Sequence, residues 1–151
     1  MDGNFNQGMN TPPVYQQTPA RQLKTDRNMW IVILLNIVTC GIYSIVFFSS
    51  LGEDLNTIAY RDGKKTMHYC LVFFLLGPIT CGIFSIIWMH GISQRIGDAA
   101  RARNVNTDFG AGTFWLWNVL GSMIVVGPFI YLHKLCTTMN AACENYNRMG
   151  C

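Results

Sequence analysis

The chain has 151 residues, of which half are hydrophobic and only 13% are charged, and its formal net charge is +3. So few polar side chains cannot cover several long apolar helices, which argues against an ordinary water-soluble domain. The small positive charge gives no reason to expect nucleic acid as a partner. Six cysteines without Cys-x-x-Cys spacing argue against a disulfide framework or a structural zinc site.

Residues 1–28 are rich in Gln, Asn, Gly and Pro and show no hydrophobic periodicity. This composition predicts a disordered polar tail, followed by a membrane domain over residues 29–150. The tail is not a cleavable signal, because no apolar core follows its start. We expect it on the cytoplasmic side.

Three stretches of the remaining chain contain no Asp, Glu, Lys or Arg: residues 28–52, 66–94 and 109–133. An uncharged apolar run of more than about 18 residues is the signal of a membrane helix. Aromatic residues such as Trp30, Trp88 and Trp115 lie near the edges of the runs, where interfacial rings are common. The sequence therefore predicts an all-α membrane protein in the cell membrane.

The runs also share an internal repeat. Thr-Cys-Gly-Ile occurs at residues 39–42 and again at 80–83, an offset of 41 residues, and a looser copy lies at 126–130. A second alignment of the three copies uses an aromatic residue that is followed nine residues later by a small or amide residue: Phe47 and Asn56, Trp88 and Gly97, Tyr131 and Asn140. We predict three tandem units of about 41 residues, at about 29–62, 66–104 and 111–148.

Gly and Pro interrupt each run, and they cost roughly 1 and 3 kcal/mol in a helix interior. Each unit is therefore predicted to be a helix, a glycine-centred break and a second helix, with threonine hydroxyls available for the freed backbone groups. The predicted break residues are Thr39, Gly41, Gly77, Pro78, Thr80, Gly82, Gly121, Gly127 and Pro128. The second helix of the first unit continues as an amphipathic helix, with Glu53 and Asp54 beside an apolar stripe.

Two topologies agree with this pattern. Re-entrant hairpins would turn at the glycine motifs and leave all Lys/Arg-bearing flanks on one face, the cytoplasmic one. Kinked spans would cross the bilayer and alternate the flanks between the two faces. The flanks carry nearly equal numbers of Lys and Arg, so the positive-inside rule does not choose between them.

The Thr-x-Gly-Ile-Tyr/Phe phrase, the aromatic residue a turn later and the pairs Leu55-Asn56 and Met139-Asn140 resemble a known family. It is a group of small bacterial integral-membrane proteins catalogued as domain of unknown function 4234. The resemblance extends over about Lys24 to Asn147. It implies a membrane location and supplies no catalytic residues.

The apolar runs hold no Asp, Glu, Lys or Arg, which argues against an enzyme or an ion-coupled transporter. We assign no catalytic, cofactor-binding or metal-ligating residue. The polar residues Asn36, Asn118, Ser44 and Ser85 are predicted to mediate helix packing. The leading hypothesis is a non-enzymatic membrane scaffold or interaction protein that self-associates and shapes the bilayer. The alternative is a small transporter or channel subunit for a neutral solute.

The expected partners are membrane lipids, with anionic headgroups at the Lys/Arg flanks. A homo-oligomer is expected as well. Three units in a row form only two internal interfaces, so the first and last units would keep unpaired faces.

Overall fold

The computed structural model describes Pro19 and residues 21–150, and every regular element within them is helical. This confirms the predicted all-α class. The described residues form six helices and, between α2 and α3, a separate 3-10 turn (Tyr60–Asp62). Helices α3 and α5 contain π-helical turns, and α5 ends in a 3-10 turn. The six helices are α1 (Met29–Val38), α2 (Ile42–Ile58), α3 (Tyr69–Leu71, Val72–Leu76 and Gly77–Ile79), α4 (Ile83–Ala102), α5 (Ala111–Thr113, Phe114–Leu120 and Gly121–Ile124) and α6 (Gly127–Met149).

The helices pair as three hairpins, α1–α2, α3–α4 and α5–α6. Arg27, just before α1, forms an ion pair with Asp54 near the end of α2. The rings of Tyr69 and Trp88 lie 4.7 Å apart, between the start of α3 and α4. The two helices of a pair thus lie side by side rather than end to end. No helix among the described residues is both long and apolar enough to cross a membrane.

The long helices α2, α4 and α6 form a parallel bundle. Arg103, which follows α4, donates from Nη1 to the Gly150 carbonyl and from Nη2 to the Ile58 carbonyl, both at 3.0 Å. The C-terminal ends of all three long helices therefore meet at one guanidinium group. Their facing side chains are almost completely buried and form the core: Leu51, Leu55, Ile92, Ile96, Leu135 and Met139.

Each short helix lies in a groove between two long helices. Helix α3 contacts α2 and α4, α5 contacts α4 and α6, and α1 contacts α2 and α6. The last contact joins the third hairpin to the first and closes a ring. The expectation that the first and last units keep unpaired faces is therefore wrong, because α1 packs beside α6.

The small or amide residues of the second alignment, Asn56, Gly97 and Asn140, lie where one hairpin meets the segment that leads into another. The side-chain amide of Asn56 accepts from the Thr66 N–H at 2.6 Å and donates to the Thr66 carbonyl at 3.2 Å. Asn140 accepts from the Arg27 N–H at 3.1 Å and donates to its carbonyl at 2.8 Å. A Cβ added to Gly97 would lie 2.0 Å from the carbonyl oxygen of Phe109. All three positions thus hold the segment that leads into a short helix.

Residues 21–28 belong to the predicted tail of residues 1–28, yet they form an irregular segment against α6. Asn147 accepts from the Leu23 N–H and donates to its carbonyl, both at 2.8 Å, and the Leu23 side chain is buried. The rest of the predicted tail, apart from Pro19, lies outside the described residues.

Replacing Asn140 by Ala should lower the free energy of unfolding by roughly 1–3 kcal/mol, because a partly buried N–H and carbonyl of Arg27 lose their partner. Thermal unfolding in mild detergent measures the change. Asn106→Ala is the matched control, since that side chain is exposed and makes no hydrogen bond to the described residues. Equal melting temperatures for both variants would contradict the role given to the Asn140 amide.

Candidate functional site

Exposed apolar side chains are concentrated in the short helices, at the hairpin turns and at the starts of the long helices. We call residues 29–46, 69–87 and 111–130 the apolar hairpin ends. Ile37, Ile79 and Met123 are 71%, 72% and 87% exposed. Of the large exposed apolar side chains in the described chain, all but Tyr60 and two methionines lie in these ends. Such a concentration of exposed apolar side chains is typical of an interaction or membrane site.

Every Asp, Glu, Lys and Arg of the described chain lies outside the apolar hairpin ends. We call the other described residues, 21–28, 47–68, 88–110 and 131–150, the charged end. Ion pairs connect its segments. Arg95 Nε lies 2.7 Å from an Asp62 carboxylate oxygen, and its hydrogen bonds lower the pKa of Asp62. Lys134 Nζ lies 2.9 Å from Asp108 and likewise lowers the pKa of that carboxyl group. Both carboxylates are therefore ionised at neutral pH.

The first two chain reversals are built around a threonine hydroxyl. Thr39 Oγ1 donates to the Leu35 carbonyl at 2.7 Å and accepts from the Tyr43 N–H at 3.0 Å. Thr80 Oγ1 bonds in the same way to the Leu76 carbonyl at 2.6 Å and the Phe84 N–H at 3.2 Å. One side chain thus ends the short helix and begins the long one, so freed backbone groups find partners without water.

The backbone at these two reversals is left-handed over two residues. Cys40 and Cys81 both have φ of 50°, and Gly41 and Gly82 have φ of 89° and 84°. Glycine adopts this region without the steric cost that a Cβ brings. Gly77 and Pro78, which were also predicted as break residues, lie within α3.

The third reversal differs. Its residue of positive φ is Val125, at 65°, and α6 begins at Gly127, with Pro128 in the first turn, where its missing N–H is tolerated. A Cβ on Gly127 would lie 2.4 Å from the Gly121 Cα. Glycine at these two positions therefore allows close backbone contact between α5 and α6. Neither glycine has a positive φ.

Two of the predicted packing residues make hydrogen bonds inside their own hairpin. Asn36 donates to the Val32 carbonyl at 2.9 Å, and its Oδ1 is buried without a partner. Ser44 Oγ donates to the Gly41 carbonyl at 2.6 Å. For Asn118 and Ser85 the described residues offer no side-chain hydrogen bond.

Sequence reasoning missed a buried ion pair in the charged end. Asp54 was placed beside the apolar stripe of α2, yet its side chain is only 2% exposed and pairs with Arg27, which is 6% exposed. The signal was available, because Asp54 lies three residues after Leu51 and four before Ile58, on the buried face. Arg27 also donates to Cys143 Sγ at 3.4 Å.

The thiols of Cys136 and Cys143, on the helix beside the Arg27–Asp54 pair, are buried. Burial raises the pKa of Cys143, and it raises the pKa of Cys136 to about 11. Both thiols are therefore protonated at neutral pH and weakly nucleophilic. Within residues 21–150, no three His, Cys, Asp or Glu side chains lie close enough together to hold a metal ion.

Comparison with known proteins gives one family. Residues 27–98 match the family model described as Domain of unknown function (DUF4234), which confirms the family resemblance over this part of the chain. The match covers the first hairpin and most of the second, a shorter range than the sequence motifs suggested. No curated protein and no solved structure gives a match.

Replacing Gly41 or Gly82 by Ala should cost about 1–2 kcal/mol, because a Cβ disfavours the left-handed backbone although the space around each glycine is open. Gly91→Ala in α4 is the matched control. It is also in open space, but its backbone is helical, so the change should stabilise by roughly 0.5–1 kcal/mol. Unfolding in detergent reports both effects, and a loss at Gly91 equal to that at Gly41 would contradict the assignment.

Proposed function

We propose, on the premise that residues 27–98 are a domain of this family, that the chain is a non-enzymatic membrane scaffold. The apolar hairpin ends enter one leaflet, and the charged end stays at the cytoplasmic face. The observation that carries the proposal is the separation of exposed apolar side chains from every charged residue along the bundle.

The dimensions of the hairpins support insertion into one leaflet. Helix α1 has 10 residues and rises about 15 Å, half of a hydrocarbon core that is about 30 Å thick. A chain that turns inside hydrocarbon must satisfy its own backbone groups, and the hydroxyls of Thr39 and Thr80 do this at two reversals. The side-by-side pairing of the helices supports re-entrant hairpins over kinked spans.

Insertion of three hairpins into one leaflet widens that leaflet relative to the other, which is the basis of the proposed membrane shaping. Self-association is part of the same proposal. Since the ring closes on itself, the contact between copies would involve outward apolar side chains such as Phe73 and Phe74, which are 45% and 68% exposed.

Passage of a neutral solute is the alternative. The observation in its favour is Asn36 Oδ1, a buried acceptor without a partner near the apolar surface. Solute uptake by proteoliposomes separates the two proposals, because a scaffold alone would not increase it.

Acidic residues at the hairpin turns should weaken membrane association. Ile37→Asp and Ile79→Asp place a carboxylate in the apolar hairpin ends, at a cost of about 2.5–3.5 kcal/mol each if those ends lie in hydrocarbon. Flotation with lipid vesicles should fall by about 100-fold for each substitution. Tyr60→Asp is the matched control, because Tyr60 is 76% exposed but lies at the charged end. Unchanged flotation of the double variant would rule out this orientation.

The four flanks should be accessible from the same side. Single cysteines at Lys24, Lys65, Asn106 and Arg148, which are all exposed, would be introduced into a chain without its native cysteines. A membrane-impermeant thiol reagent should modify all four from the cytoplasmic side and none from the other side. Labelling after permeabilisation controls for reactivity, and a pattern that alternates between the two sides would favour kinked spans.

A further inference from the structure

A groove of about 270 Å³ lies on the first hairpin, where the charged end gives way to the apolar hairpin ends. Its lining combines charged and polar side chains with apolar ones. Lys24, Asp26 and Ser50 are among the former, and Ile31, Tyr43 and Val46 are among the latter. Ile31 and Val46 are 52% and 58% exposed, so these apolar side chains are open to the surroundings.

Two opposite charges at this groove have no partner in the described chain. The Arg27 guanidinium also lines it, but it is engaged by Asp54 and Cys143. Neither the Lys24 ammonium nor the Asp26 carboxylate forms a hydrogen bond or ion pair with the described residues. Among the described residues, the groove therefore offers one positive and one negative group without a partner, two residues apart in the sequence, together with apolar lining side chains.

We propose that this groove binds one lipid, a zwitterionic aminophospholipid such as phosphatidylethanolamine. Its phosphate pairs with Lys24, its primary ammonium donates hydrogen bonds to Asp26, and its acyl chains follow Ile31 and Val46. This inference rests on the proposed function and adds a lipid class to it.

The charges of the groove discriminate among headgroups. Phosphatidylglycerol offers the same phosphate to Lys24, but its glycerol is neutral and brings no cation to offset the negative charge of Asp26. A choline headgroup has the same net charge as ethanolamine, but its quaternary ammonium carries no N–H to donate to a carboxylate. General attraction of anionic lipids to the Lys/Arg flanks does not require this groove.

Native mass measurement of the full chain in mild detergent tests the site, with phosphatidylethanolamine, phosphatidylcholine and phosphatidylglycerol offered at equal concentrations. We expect phosphatidylethanolamine to be retained about fivefold more than either of the others, the scale of one exposed ion pair. Asp26→Asn should abolish the preference over phosphatidylcholine, and Lys24→Gln should reduce retention of phosphatidylethanolamine. Lys65→Gln, an exposed lysine away from the groove, is the control and should change nothing.

Flotation of the same proteins with phosphatidylcholine vesicles separates this inference from the proposed function. If wild type floats but retains the three lipids equally, or if its preference survives Asp26→Asn, the lipid site is wrong and the scaffold proposal stands. If wild type does not float with these vesicles, the proposed function fails. Asp26→Asn should float as well as wild type, since the apolar hairpin ends are unchanged.

Discussion

The fold depends on the ability of the chain to reverse direction where its surface is apolar. A reversal frees backbone N–H and carbonyl groups, and each costs several kcal/mol if it is left without a partner in apolar surroundings. At the first two turns one threonine hydroxyl satisfies the last turn of the short helix and the first turn of the long helix together. The left-handed residues that follow complete the reversal within three positions.

Because each hairpin returns to the end where it began, all three long helices run in the same direction. Parallel helices leave their C-terminal carbonyls together at one pole, and the Arg103 guanidinium bonds to two of these ends. The short helices fill the grooves between neighbouring long helices, which leaves one face of each short helix exposed. The exposed apolar surface is thus a geometric consequence of the hairpins, and it lies opposite to the charged end.

The sequence predicted the helical class and two of the turns because threonine and glycine have strong local conformational preferences. The sequence also aligned Asn56, Gly97 and Asn140, but it did not predict which residues they contact. A contact with backbone that is distant in the sequence leaves no periodic pattern. The third turn was aligned on its glycine, whereas the residues of positive φ that correspond are Cys40, Cys81 and Val125. Asp54 was misplaced because an acidic residue on a helix is usually solvated, and only its distant partner Arg27 explains its burial.

The buried Arg27–Asp54 pair lies close to the contact between α1 and α6, where the third hairpin meets the first. Residues 59–68 link α2 to α3 and residues 103–110 link α4 to α5, whereas no linker joins α6 to α1. Ordering residues 21–28 at that contact costs about 1–2 kcal/mol per residue in backbone entropy, with no short loop to limit the search. The segment is held there by hydrogen bonds from the Asn140 and Asn147 side-chain amides to its backbone and by the Arg27–Asp54 pair. A buried ion pair adds little net stability over apolar packing, but a shifted register would remove Arg27 from Asp54 and leave only the more distant Arg21, 3.6 Å away, beside that buried carboxylate. We therefore infer that the pair serves chiefly to fix where the ring closes.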